Sequence, residues 1–162
     1  MFQIGEQVCY PMHGIGVIEH IEQQSILGEQ TEYYVLRFSN GNMTAMVPVD
    51  SAESVGIRVL ADESECNRVL EYFAGPEISE DNSNWNQRYR DNMDKLRTGE
   101  LLSVAEVIKS LAEREKQKGL STGERKMFTT AKQVLFTEIR IVCGLDESAI
   151  EAKIAEGLAS VI

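Results

Sequence analysis

Two small sets of side chains in this 162-residue chain have types and spacings that bear on chemistry. The first is a thiol and an imidazole: Cys9 stands four residues before His13, across Tyr10-Pro11. That spacing permits a thiol–imidazole pair, which as a nucleophile would also need an orienting carboxylate. The plainer reading makes Cys9 a small core residue and His13 a turn residue. His20 is the only other histidine, and Cys9, Cys66 and Cys143 form no C-x-x-C pair, so neither a zinc site nor a disulfide framework is expected. Gly14-Ile15-Gly16 lacks the third glycine of a dinucleotide fingerprint, and there is no Walker A sequence. Carboxylate pairs such as Glu63/Glu65 and Glu80/Asp81 lie in acidic, solvated runs. No cofactor, metal or catalytic residue is expected.

The second set surrounds the single tryptophan, in Asn84-Trp85-Asn86-Gln87-Arg88-Tyr89-Arg90. A helix start exposes N–H groups that attract phosphate, Arg88 and Arg90 add cations, and a flat indole can stack on or wedge against an exposed base. Trp85 and Tyr89 are also spaced as helix-face neighbours, and composition by itself favours a core place for both. Lys116, Lys118, Arg125, Lys126 and Lys132 cluster around the next helical hairpin. Together with Trp85 they make nucleic-acid contact a coherent reading of this segment.

The elements that must hold these groups divide into strands and then helices. Gln7–Tyr10, Gly14–Ile21, Thr31–Phe38 and Met43–Val49 read as short strands, with Asn40-Gly41 as a hairpin signal. Four or five strands in about 50 residues predict a small bent barrel of Tudor or SH3 type. After a junction over residues 53–61, five helices are expected within residues 62–162, making the whole an α+β chain. Asp62 opens the first, Asp81 or Ser83 caps the second, and Ser103 and Ser121 start the third and fourth in capping-box form. Asp146 begins the last, with Ile150, Ile154, Leu158 and Val161 as its apolar stripe.

Composition sets the class. The chain is 43% hydrophobic and 26% charged, average for a globular protein, and has no apolar run long enough for a membrane helix. No export signal is visible at the N-terminus, so reduced thiols in a cytoplasm are expected. The net charge of −10 is unevenly spread. Residues 1–82 hold three cations against fourteen acids; residues 83–140 hold twelve cations against eight acids. A basic segment inside an acidic protein requires a functional reason.

From Phe2-Gln3-Ile4-Gly5 and Val8-Cys9-Tyr10-Pro11-Met12-His13-Gly14-Ile15-Gly16-Val17-Ile18, the chain resembles the CarD/CdnL family of bacterial transcription regulators. The similarity continues through Gly28-Glu29, Tyr33-Tyr34-Val35-Leu36, Val47-Pro48 and 52–58. It resumes at Asn84-Trp85, Arg88-Tyr89, 95–100, Val104-Ala105-Glu106-Val107 and 119–127. Transcription-repair coupling factor carries a module related to the first half. The resemblance implies a Tudor-like domain over residues 1–52 that binds the β subunit of bacterial RNA polymerase. It also implies a helical domain that places Trp85 in the minor groove at the upstream edge of the transcription bubble, prolonging the open complex. The implied setting is the cytoplasm, at the nucleoid, with a functional monomer.

Some relatives carry basic residues at the positions of Gln24, Met46 and Gln87. The uncharged residues here shift the expected polymerase contact toward strand-edge pairing and apolar surface on the 31–49 hairpin, through Tyr34, Leu36, Met43, Met46, Val47 and Pro48. The DNA residues expected are Trp85, Arg88, Arg90, Arg125 and Lys126. Two other readings stay open on sequence: an SH3-like peptide adaptor with structural helices, and a thiol enzyme using Cys9 and His13.

Overall fold

The computed structural model describes residues 2–38, 43–75 and 84–159. The chain forms two compact units, residues 1–60 and 61–162.

The first unit is an antiparallel sheet. Its strands are β1 (Gln7–Tyr10), β2 (Gly14–Ile26), β3 (Glu29–Phe38), β4 (Thr44–Pro48) and β5 (Arg58–Val59), in the spatial order β4-β3-β2-β1-β5. One face of the sheet supplies the core: Val8, Ile18, Tyr34, Leu36 and Val47, closed by Ala52 and Ile57. A slip in register between Ile18 and His20 marks a bulge in β2, the device by which a long strand bends. Gly16 pairs with Phe38 beside it, and a Cβ there would meet the Arg37 carbonyl oxygen at 3.2 Å, so the two strands come close only because the side chain is missing.

β2 and β3 run further than the alternation pattern predicts. They continue as a ribbon to a two-residue turn at Leu27-Gly28, both at positive φ (53° and 83°), the geometry of a tight hairpin. The Asn40-Gly41 signal lies outside the described residues. The segment 53–61, expected as a junction, divides instead: Ile57 enters the sheet core and Arg58–Val59 pairs with β1, while Ala61 belongs to the helical unit.

The second unit contains α1 (Glu63–Phe73), α2 (Trp85–Thr98), α3 (Leu101–Gln117), α4 (Thr122–Cys143) and α5 (Glu147–Ala159). α3 packs against α1, α2 and α4, and α5 is held by α1 and α4. Val69 and Phe73, Val107, Ile108 and Leu111, Leu135 and Ile139, and Ile150 form the buried interior. Start signals explain most helix boundaries. Asp62 Oδ1 accepts from the Glu65 N–H (2.8 Å), and Asp146 Oδ1 accepts from the Ala149 N–H (2.7 Å).

Two expected caps differ. α2 is capped by Asn84, whose Oδ1 accepts the Gln87 N–H at 2.9 Å; Asp81 and Ser83 lie outside the described residues. α3 starts at Leu101, after Glu100, so Ser103 is already inside the helix and its capping box does not form. Burying Leu101 extends the helix toward its N-terminus past the polar signal. Ile150 and Ile154 are buried as the α5 stripe predicts; the Leu158 side chain and Val161 lie outside the described residues.

Candidate functional site

Asn84 starts α2 so that Trp85 is its first helical residue. Three contacts then fix the indole. Its Nε1–H donates to Ser121 Oγ at 2.9 Å. Tyr89, one turn along, stacks on one indole face, with ring centroids 5.1 Å apart and planes at 22°. The indole edge lies on the first turn of α4, where a Cβ at Gly123 would be 3.5 Å from Cζ2. Even so, Trp85 is 42% exposed. The core place that composition favours is therefore not the one it takes: α2 buries only Leu96 fully and leaves its first turn at the surface.

The support continues inward. Ser121 caps α4, and the predicted capping box with Glu124 is formed. The Ser121 hydroxyl accepts from the Glu124 N–H (3.2 Å) and the indole N–H, and donates to Glu124 Oε1 (3.0 Å). One donor and two acceptor sites are the full capacity of a hydroxyl. Glu124 itself is buried, with its Oε2 3.8 Å from Arg88 Nε and 3.6 Å from Arg114 Nε. Sequence reasoning read Ser121-Thr122-Gly123-Glu124 as a helix start only. Its second role was out of reach because the partner, Trp85, is 36 residues away.

The expected DNA residues separate into two kinds. Arg88, expected to meet phosphate, has a side chain only 12% exposed and faces the buried carboxylate of Glu124. Its cation is turned toward the interior, beside the residues that hold the indole. Arg90, Arg125 and Lys126 are exposed. Arg90 Nη2 donates to Gln87 Oε1 (3.3 Å), and Arg125 lies 3.5 Å from Glu115 with both side chains solvated, a weak tether that a phosphate can replace. The first turns of α2 and α4 meet at the Trp85–Ser121 bond, so the positive ends of two helix dipoles lie near the exposed indole.

On the sheet unit, β4 is an edge strand, and among the described residues no strand pairs with its outer side. Met46 is exposed on it, Met43 is exposed just before its first residue, and Pro48 is half-buried. Gln24 lies beside Met46, its Nε2 3.9 Å from Sδ. Tyr34, Leu36 and Val47, expected at the polymerase surface, are buried in the sheet core. Tyr34 and Leu36 also sit on β3, whose backbone is paired on both sides. Alternation explains this: in each strand the apolar positions with the strongest binding potential are also those the core takes.

Cys9 is buried, and the His13 ring is tied through Nδ1 to the Pro11 carbonyl oxygen at 2.9 Å, the donor role following the tautomer. Cys66 and Cys143 lie within hydrogen-bonding reach of each other, and burial, with the neighbouring Cys143, pushes the Cys66 thiol up to about 12. Among the described residues no group of three or more His, Cys, Asp or Glu could hold a metal ion. Among them, too, no helix is long and apolar enough to cross a membrane.

A family model described as "CarD-like/TRCF RID domain" matches residues 2–60, and one described as "CarD, C-terminal domain" matches residues 68–155. The Bacillus subtilis (strain 168) protein named "Putative transcription factor YdeB" is 40% identical over 152 residues, covering 94% of this chain and 99% of that one. Among solved structures, the chain is similar to the solution NMR structure of the 72-residue N-terminal domain of Myxococcus xanthus CarD. That match has 22% identity and a TM-score of 0.32, and covers 36% of this chain and 79% of the other.

Proposed function

The chain belongs to the CarD family, a family of transcription regulation, and from that premise we propose that it stabilises the promoter open complex of bacterial RNA polymerase. An RID-type domain implies RNA polymerase as a partner in general. In this reading, the sheet unit docks on the β subunit through the free edge of β4, with Met43, Met46 and Pro48 supplying apolar contact and backbone groups supplying the pairing. Trp85 then enters the minor groove at the upstream edge of the bubble and resists re-annealing. Arg90, Arg125 and Lys126 contact phosphates nearby. The protein works without a cofactor and without covalent chemistry, as a monomer in the cytoplasm, at the nucleoid.

The observation that carries this reading is the exposure of Trp85, with one indole face covered by Tyr89 and a hydrogen bond fixing its edge. A large aromatic held in order at the surface gains by covering something flat. Polymerase anchoring raises the local concentration of a DNA contact that a small cationic surplus makes only weakly. The test is the lifetime of a promoter open complex with cognate polymerase alone, with wild-type protein and with Trp85→Ala, the mutant's fold checked by circular dichroism. A longer lifetime with wild type, lost in a folded mutant, is expected. No change with wild type bound to polymerase would overturn the mechanism and leave the peptide-adaptor reading.

A further inference from the structure

We propose that Ser121, itself held by Glu124, is the positioning residue that presents Trp85 to DNA in a single orientation. This deepens the proposed function and rests on it. An indole at a helix's first position, resting on Tyr89 and the Gly123 backbone alone, would exchange rotamers, and its ordering would fall on the binding step. The bond from Nε1–H to Ser121 Oγ removes that freedom beforehand. Ser121 is in turn unable to rotate away. Its O–H is directed to Glu124 Oε1 and its remaining acceptor site is filled by the Glu124 N–H. Glu124 is fixed from behind by Arg88 and Arg114, which also neutralise a carboxylate that would otherwise repel phosphate beneath the contact surface. Five side chains from α2, α3 and α4 thus act on one rotamer. Immobilising one such side chain at an interface costs a factor of roughly two to ten in binding, so pre-ordering restores about that much.

The substitutions that isolate the hydroxyl are Ser121→Thr and Ser121→Gly in the full chain. Threonine and glycine are comparable N-caps, so helix start and stability change alike. Only threonine keeps a hydroxyl for the indole N–H. Trp85 is the single tryptophan, so its emission and its quenching by acrylamide report this site directly. Ser121→Gly is expected to raise quenching in the free protein and to require about two- to tenfold more protein for the same open-complex lifetime. Ser121→Thr is expected to match wild type in both. Ser121→Ala repeats the test with a stiffer backbone should glycine loosen the turn. Equal quenching in all variants overturns the positioning role, and so does an unchanged protein requirement where wild type does prolong the complex. If wild type does not prolong it, the proposed function fails by itself. The quenching comparison still decides whether Ser121 orders Trp85.

Discussion

Arg88 and Arg90 stand two positions apart and face opposite environments. Arg88 is one of two cations at a buried carboxylate, and removing it leaves Glu124 half-compensated in the interior. Arg88→Ala is expected to lower stability by about 2–3 kcal/mol in urea unfolding, whereas Arg90→Ala should change it by less than about 0.5 kcal/mol. In open-complex assays, on the proposed function, the order is expected to reverse once both are folded, with Arg90→Ala shortening the lifetime the more. Nothing in their sequence context separates them, because the residue that does so, Glu124, arrives through the fold. Cys66 gives a pH signature. Its thiol, raised from 9.0 to about 12 by burial and by Cys143, keeps its proton in the native state where the unfolded chain releases it. The native state therefore binds more protons between these values, so this contribution is fully present below pH 9 and is lost as pH rises through about 12. Tyr72, raised mainly by burial, acts in the same direction. Cys66→Ala should flatten the alkaline loss of stability in urea titrations run across that window, and a slope equal to wild type would contradict the assignment.

At the scale of elements, what was legible followed from local chemistry. Asp62, Asp146 and the Ser121–Glu124 box each act within three residues, and the helices begin where these side chains say. The misses have tertiary causes. Ser103-Val104-Ala105-Glu106 has the same form as the box at Ser121, yet the core claims Leu101 and the helix starts earlier. The β2–β3 ribbon beyond His20 carries Glu, Gln and Ser exposed to water, so no apolar alternation announces it; Gly28 after Leu27 is its one signal. β5 has only two residues, too few for a pattern. The candidate DNA surface was legible as a tryptophan with cations, but which cations face outward was not. One buried charge shows how elements are tied. Lys109 on α3 donates to the carbonyl oxygens of Tyr72 (3.0 Å) and Gly75 (3.1 Å) at the end of α1 and sits 4.7 Å from the Tyr72 ring centre. Lys109→Met should cost about 1–3 kcal/mol, read from the unfolding midpoint, since it removes the lysine donor from the Gly75 carbonyl and leaves the Tyr72 carbonyl only its backbone partners. On β4, Met46→Glu places a charge on an exposed edge position; stability should hold within about 0.5 kcal/mol while affinity for polymerase falls severalfold in a pull-down or interferometry titration. Unchanged affinity would move the docking surface elsewhere.

For the whole molecule, the uneven charge becomes intelligible as a division of labour. In the proposed function, an acidic sheet unit gains nothing from approaching DNA unaided, and the cations of the helical unit are expected to act once polymerase brings them near. If Arg90, Arg125 and Lys126 each meet one phosphate, the DNA-dependent part of the effect should fall with salt with a logarithmic slope of roughly −2 to −3, and each charge-neutralising substitution should reduce that slope by about one. A salt-independent effect would remove all three from the contact. The two units also differ in when they can be completed. The sheet closes on residues no later than Val59, so its core can assemble while most of the chain is still being synthesised. The helical unit must wait: the N–H of its first residue, Ala61, donates to Glu138 Oε2 at 2.8 Å, and α1 packs on α5. On the ribosome, a finished sheet unit would therefore emerge well before the tryptophan has a surface to stand on. If the proposed function holds, a truncated or stalled product would occupy polymerase without holding DNA open, a competitor made from the protein's own first half.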